Sequence, residues 1–409
     1  MTPASVSELV GWVVEAGLAG KSETEILEGF CSRAVDGGLP IARAGVIIDT
    51  LHPIHEGRLF RWRRDADGAP ELLEYGPTDE GEAAASWQAS PFFRLLQDGS
   101  SLLRRRLFPN ETPEFPGLVD HQNAGMTDYL ALLNRFAEQG AIGEMDCVYS
   151  YWVTDRIGGF DDQHIDALFA LMPKLALSIK CVSLGRIAET LVETYLGRDA
   201  GRRVLGGHIR RGITETISAV LWFSDLREFT RITDHAEPQQ IIPLLNDYAE
   251  AVISAIHDHD GDVLKLIGDG VLAVFTAEAT ELASRRAMAA EAALRRRLGA
   301  LNQRRAFEGL PTTEIYLGLH IGEVFYGNIG SKDRLDFTVV GPAVNEVSRI
   351  AAMCRSVERE LLVSERFAES LDAPGRAGLV SVGRYALRGV ERPQHLFTRD
   401  PFATGHPGS

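Results

Sequence analysis

Cysteine is scarce in this chain and never paired by spacing: Cys31, Cys147, Cys181 and Cys354 lie scattered over 409 residues. That pattern excludes a disulfide framework and fits reduced thiols. Long apolar runs are also missing. No stretch approaches the roughly 20 consecutive apolar residues that cross a bilayer. The N-terminus lacks a basic region followed by an apolar core, and Glu8 and Glu15 interrupt its most apolar part. The expectation is a cytoplasmic protein with no membrane partner. Basic excess is absent too: 42 Lys and Arg face 57 Asp and Glu, a formal net charge of −15. A nucleic-acid partner is therefore not expected. No GxxxxGK[ST] loop occurs, which excludes an ATPase of that kind. His257 and His259 have no Cys or His cluster near them, and His52 and His55 flank a turn at Pro53, so neither pair reads as a zinc site.

What is present begins with two short segments, Phe223-Ser224-Asp225-Leu226-Arg227-Glu228-Phe229-Thr230 and Lys265-Leu266-Ile267-Gly268-Asp269-Gly270. Each places one carboxylate where an apolar strand ends in a turn. Asp225 follows the run 219–223, and Asp269 sits between the runs 263–267 and 271–275. Either Asp alone reads equally well as an ordinary turn residue. A carboxylate at the lip of a buried strand is costly without a partner, and a metal ion is the usual one. Two such carboxylates could hold two Mg²⁺ ions about 4 Å apart, as in-line displacement at phosphorus requires.

A third segment runs Asp336-Phe337-Thr338-Val339-Val340-Gly341-Pro342-Ala343-Val344-Asn345, then Glu346-Val347-Ser348-Arg349-Ile350. It reads as an apolar strand, a Gly-Pro break and a helix. Asn345 and Arg349 are four residues apart and so share one helix face. A forked, always-charged guanidinium suits a phosphorus centre that gains negative charge.

On these motifs, the segment from about 217 to 397 resembles a class III nucleotidyl cyclase catalytic domain. The resemblance implies an α/β (α+β) fold with a mainly antiparallel central sheet flanked by helices. It implies that Asp225 and Asp269, with Leu226 beside them, bind two Mg²⁺ or Mn²⁺ ions per active site. It assigns Lys265 and Thr338 to adenine, Asn345 to the ribose and Arg349 to the transition state. Arg388, in Tyr385-Ala386-Leu387-Arg388-Gly389, takes the terminal phosphates, while Phe229 and Thr230 lie in the substrate-binding turn. The reaction implied is ATP to 3′,5′-cyclic AMP and pyrophosphate, in a homodimer. Lys265 can donate to adenine N1, and the Thr338 hydroxyl can accept from the adenine amino group. Lys with Thr is similar to the class IIIb subset. A guanylate cyclase, or an idle domain that only binds nucleotide, remains the alternative. The family's diguanylate relatives carry a Gly-Gly-Asp/Glu-Glu-Phe turn that is absent here. One departure stands out: Glu228 occupies a place where the family has glycine, so the turn is either rearranged or its carboxylate swings to solvent.

Upstream, residues 5–36 predict two helices, with Ser22 as N-cap and Glu25 closing a capping box. Strand-like runs follow at 42–51, 58–63 and 71–75, a helix over 90–97 capped by Ser90, then strands over 127–136 and 146–153. An amphipathic helix begins at Asp162 and runs on to Tyr195. This order resembles a GAF-type sensory domain, with a PAS-like reading open, and implies an unknown small-molecule ligand. Leu184, Ile187, Leu191 and Tyr195 form one apolar stripe, read as a parallel helical pair between subunits rather than as packing on the N-terminal domain. The Gly- and Arg-rich stretch 196–212 reads as a hinge. The domain boundaries expected are 1–180 for the GAF-like domain, 181–212 for a helical linker, 213–400 for the catalytic domain and 401–409 for a flexible tail.

Overall fold

The computed structural model describes residues 1–66, 68–136, 142–143, 145–212 and 214–400. The expected tail at 401–409 lies outside the described residues. The chain forms two compact units, Met1–Leu191 and Val192–Ser409.

In the first unit, helices α1 (Pro3–Leu18) and α2 (Glu23–Asp36) precede strands β1 (Arg43–Asp49), β2 (Gly57–Arg63) and β3 (Glu71–Tyr75). The predicted capping box is present: Ser22 accepts from the Glu25 N–H while Glu25 reaches back to the Ser22 N–H. Helices α3 (Gly81–Gln88) and α4 (Pro91–Asp98), strand β4 (Leu102–Arg106) and a short helix α5 (Val119–Asn123) follow. Ser90 caps α4 as predicted. Strands β5 (Asp128–Arg135) and β6 (Cys147–Thr154) complete an antiparallel sheet ordered β3-β2-β1-β6-β5-β4. Period-two alternation sends Ala44, Val46 and Ile48 into a core shared with α1, α2 and the long helix α6 (Asp162–Leu196).

Helix α6 bears on two expectations. By length and composition it is long and apolar enough to cross a membrane, although Lys174 and Lys180 break its apolar run. Its Leu168, Leu171, Leu175 and Ile179 are buried in the core of the first unit. Most of the apolar stripe packs there, the alternative to a helical pair between subunits. Ile187 is buried in that core with Leu184 and Leu191 against it, whereas Tyr195 is 82% exposed. Buried Glu23 holds the helix in place, accepting from Ser183 and pairing with Arg186 and Arg58.

The second unit begins in the stretch read as helical linker and hinge. It contains a helix, α7 (Arg198–Leu205), whose Ala200 is buried in an apolar cluster with Leu196 and Val204. Arg203 on this helix pairs with Asp199 and Glu215. Strand β7 (Thr214–Leu226) leads to α8 (Phe229–His235) and α9 (Pro238–His257). The hairpin β8 (Asp262–Ile267) and β9 (Gly270–Phe275), helix α10 (Thr280–Phe307), and strands β10 (Ile315–Gly330) and β11 (Leu335–Val340) follow. After α11 (Pro342–Ser356) come β12 (Leu361–Ser364), α12 (Glu365–Ser370), α13 (Ala373–Ala377), β13 (Leu379–Tyr385) and β14 (Gln394–Arg399). The eight strands form one sheet ordered β13-β14-β12-β10-β7-β9-β8, with β11 added to β10. Only β10 and β12 run parallel, so the sheet is mainly antiparallel as expected. One core packs the sheet on α9 and α10, and a second gathers Leu221, Leu272, Val324, Phe337 and Val347 with α7.

Candidate active site

Strand pairing places the two aspartates side by side. The β7–β9 ladder includes Ser224 opposite Val271, so the next positions outward are Asp225 and Gly270. The β8–β9 turn is closed by the pair Ile267 and Gly270, leaving Gly268 and Asp269 as its two central residues. Gly268 has φ 64°, a conformation that a side chain at this tight turn would strain. Asp269 is thereby held over the end of β7. Burial first, then a hydrogen bond and like charge from Asp269, push the Asp225 carboxyl up to about 7, against a smaller opposing bond from the Leu226 N–H. Two half-buried carboxylates this close are poorly matched to each other and well matched to a divalent cation, which would favour both as anions. Mg²⁺ or Mn²⁺ thus fits the donor set. The Leu226 side chain lies in the core, leaving only its backbone for such a role. Among the described residues no cluster of three or more metal-ligating side chains occurs, so the pair stands alone.

The turn after β7 keeps its left-handed geometry despite the departure noted in the sequence. Glu228 sits at φ 55°, ψ 30°, and its carboxylate lies 2.6 Å from Arg231 on α8. The side chain is therefore neutralised beside the turn. Phe229 packs partly against the core, and Thr230 is exposed.

Lys265, exposed on β8, forms an ion pair with Asp336 on β11, two strands that are not neighbours in the sheet. Thr338 follows two residues later, so period two puts it on the same face of β11. It is buried and lies opposite Gly327. Asp336 was missed from sequence, although its spacing from Thr338 is the signal that finds it. Asn345 and Arg349 are exposed on one side of α11, while Val347, Ile350, Ala351 and Cys354 bury the other. Among the described residues Arg349 has no ion pair, which leaves its charge available. Arg388 is exposed in the turn after β13, next to buried Leu387.

The register of β10 separates these groups. Asp225 is opposite Tyr316, and Thr338 is opposite Gly327, eleven residues further along. A straight strand of that length spans up to about 36 Å. The carboxylate pair and Thr338 thus stand eleven positions apart along β10, although the Lys265–Asp336 ion pair brings the β8–β9 hairpin back against β11.

Residues 213–398 match the family model described as adenylate and guanylate cyclase catalytic domain. That segment is a class III cyclase catalytic domain. Over 167 residues the chain is 31% identical to the adenylate cyclase of Anabaena cylindrica, covering 41% of this chain and 33% of that protein. The chain thus spans about a third of that relative's own length. Two solved structures are also similar: the adenylyl cyclase CyaB from P. aeruginosa and the guanylyl cyclase Cya2. CyaB is 24% identical with TM-score 0.41, covering 45% of this chain and 94% of that one. Cya2 is 26% identical with TM-score 0.40, covering 46% and 97%.

Proposed function

We propose that this chain is an adenylate cyclase that converts ATP to 3′,5′-cyclic AMP and pyrophosphate as a homodimer, regulated through its first unit as a sensory, GAF-like domain. The observation that carries the reading is the joining of Asp225 and Asp269 at one sheet end, with exposed Asn345 and Arg349 on one helix face elsewhere. Mg²⁺ or Mn²⁺ held by that aspartate pair, when bound, would acidify the ribose 3′-hydroxyl and offset triphosphate charge. Asn345 would orient the ribose. Arg349 would face the negative charge that grows as the 3′-oxygen attacks the α-phosphorus and pyrophosphate departs. Arg388 would hold terminal phosphates, and Lys265 with Thr338 would read the adenine edge.

The separation along β10 supports a composite site, in which the carboxylates of one subunit meet the purine and Arg349 end of its partner. Exposed apolar side chains on both parts support it too: Leu266 and Ile267, on the hairpin that carries Asp269, are 55% and 47% exposed, and Phe325, near Thr338 along β10, is 50% exposed. Incubating the purified chain with ATP or GTP in Mg²⁺ or Mn²⁺ and measuring both cyclic nucleotides tests the reading. Cyclic AMP in clear excess supports it. A preference for GTP would make it a guanylate cyclase, and no turnover under any condition would leave only a nucleotide-binding domain.

A further inference from the structure

The sheet of the first unit has two unlike faces. One lies on the core under α1, α2 and α6; the other borders a cavity of about 2180 Å³ edged by α3, α4 and α5. Three arginines stand on the cavity face. Arg43 and Arg63 are directly opposite in the β1–β2 ladder, and Arg61 lies opposite Gly45, two positions further along β1. Like charges placed directly across a ladder repel each other and weaken the sheet. Among the described residues neither Arg43 nor Arg63 has an ion pair, and Arg61 reaches Glu71 only at 3.8 Å in an exposed contact. The neighbouring Arg64 shows the ordinary solution, since it pairs with Asp155.

The partner of Arg43 is a histidine. Its Nη1 lies 3.5 Å from His121 Nδ1, which must accept because a guanidinium only donates. Burial first, then the Arg43 charge, hold His121 down to about 4, so it is neutral at pH 7 and adds no further positive charge beside Arg43. Asp120, beside His121, is exposed and makes no ion pair with Arg43. At the far end of the cavity the carboxylates are occupied: Asp49 accepts from the Tyr75 hydroxyl at 2.9 Å, and Glu56 accepts from Thr78.

An aromatic wall adjoins the arginines. Tyr151 lies across Gly45, where a Cβ would come 2.1 Å from the tyrosine ring, so glycine is what lets the ring lie flat on the sheet. Tyr129 stacks with Tyr151 at 5.7 Å and 16°, and the His121 ring lies 5.6 Å from Tyr151. Arg43, half-buried, and Arg63, exposed at the cavity edge, thus have no carboxylate partner among the described residues, and beside flat rings they call for a ligand with both properties.

We propose that this cavity binds a small planar anion, an aromatic ring bearing a carboxylate or a phosphate. Its charged group sits between Arg43 and Arg63, and its ring lies against Tyr151. The ligand relieves the repulsion between the paired arginines, so its binding also stabilises the first unit.

Titration calorimetry on the full chain tests this without reference to turnover. The probes are 1-naphthoate, 1-naphthyl phosphate and the neutral 1-naphthamide. At least one anion should bind about tenfold or more tightly than the amide, the scale of one charge-assisted hydrogen bond. Whether the carboxylate or the phosphate binds identifies the group that the arginines take. Arg43→Gln combined with Arg63→Gln should lose that advantage. The proposal is overturned if neither anion binds, if the amide binds equally well, or if the folded double variant binds the anion as the parent does. Should the double variant not fold, the comparison of anion with amide on the parent chain still decides.

Discussion

Lys265 and Asp336 join β8 to β11 across a sheet in which three other strands separate them. The pair is about half exposed, so it adds little stability, on the order of 0–1 kcal/mol. Its effect is positional: the ammonium is held beside the β11 face that carries Thr338.

Purine choice should follow from that placement. Lys265→Glu with Thr338→Cys should erode the preference for ATP over GTP by about tenfold or more, read as the ratio of kcat/KM values. Asp336→Asn should leave Tm nearly unchanged while raising KM for ATP. Equal rates of the parent enzyme on both nucleotides would refute the assignment of Lys265 and Thr338 to adenine.

Removing either aspartate should stop the chemistry without harming the fold. Asp225→Ala or Asp269→Ala should lower turnover by on the order of 10²–10³ or more. Without divalent cations, thermal unfolding should show no loss of Tm, since each change separates two repelling carboxylates. A variant with near-parental turnover would end the metal assignment.

Arg349 is exposed and, among the described residues, has no ion pair. Arg349→Ala should therefore lower kcat by about 10²–10³ with little change in KM, the pattern of a contact made mainly in the transition state. Steady-state kinetics over a range of ATP concentrations distinguishes this from a loss of ground-state binding, which would raise KM instead.

The left-handed Glu228 carries a backbone cost of about 1 kcal/mol that glycine would not. Glu228→Gly also removes a carboxylate from the turn that would approach a triphosphate. The variant should keep or raise Tm and raise kcat/KM for ATP several-fold. A drop in kcat/KM would mean that the Glu228–Arg231 pair positions the turn.

Mixing two dead chains should restore activity. An Asp225→Ala chain paired with an Arg349→Ala chain has one site with every group intact and one with neither. Co-refolded mixtures should recover about a quarter of parental turnover at equal amounts, since half the dimers are mixed and each has one good site. Mixed dimers that form but stay inactive would place each site within one chain.

Local chemistry was legible where the signal was local. The Ser22 and Ser90 caps, the alternating strands β1 and β2, and the Gly-Pro break before α11 all follow from a few adjacent residues. The side-by-side aspartates could be anticipated only as two strand ends, and strand pairing brought them together. What sequence misjudged depended on distant partners. Within the 196–212 stretch, Arg203 meets Asp199 and Glu215, and the Leu184–Ile187–Leu191 stripe packs on the core of the first unit. Strand β4 was missed because Leu102-Leu103-Arg104-Arg105-Arg106 shows no alternation, yet Arg104 pairs with buried Asp128. Asp336 escaped notice because its partner is 71 residues away.

The eleven-residue offset along β10 has a kinetic corollary. Should a lone subunit hold two mismatched halves, the protein is in effect a reactant in its own catalysis. Specific activity would then fall in proportion to concentration at high dilution and level off once subunits are saturated with one another. An expression level inside a cell would set output per molecule as well as the number of molecules, so doubling a scarce population would quadruple the signal.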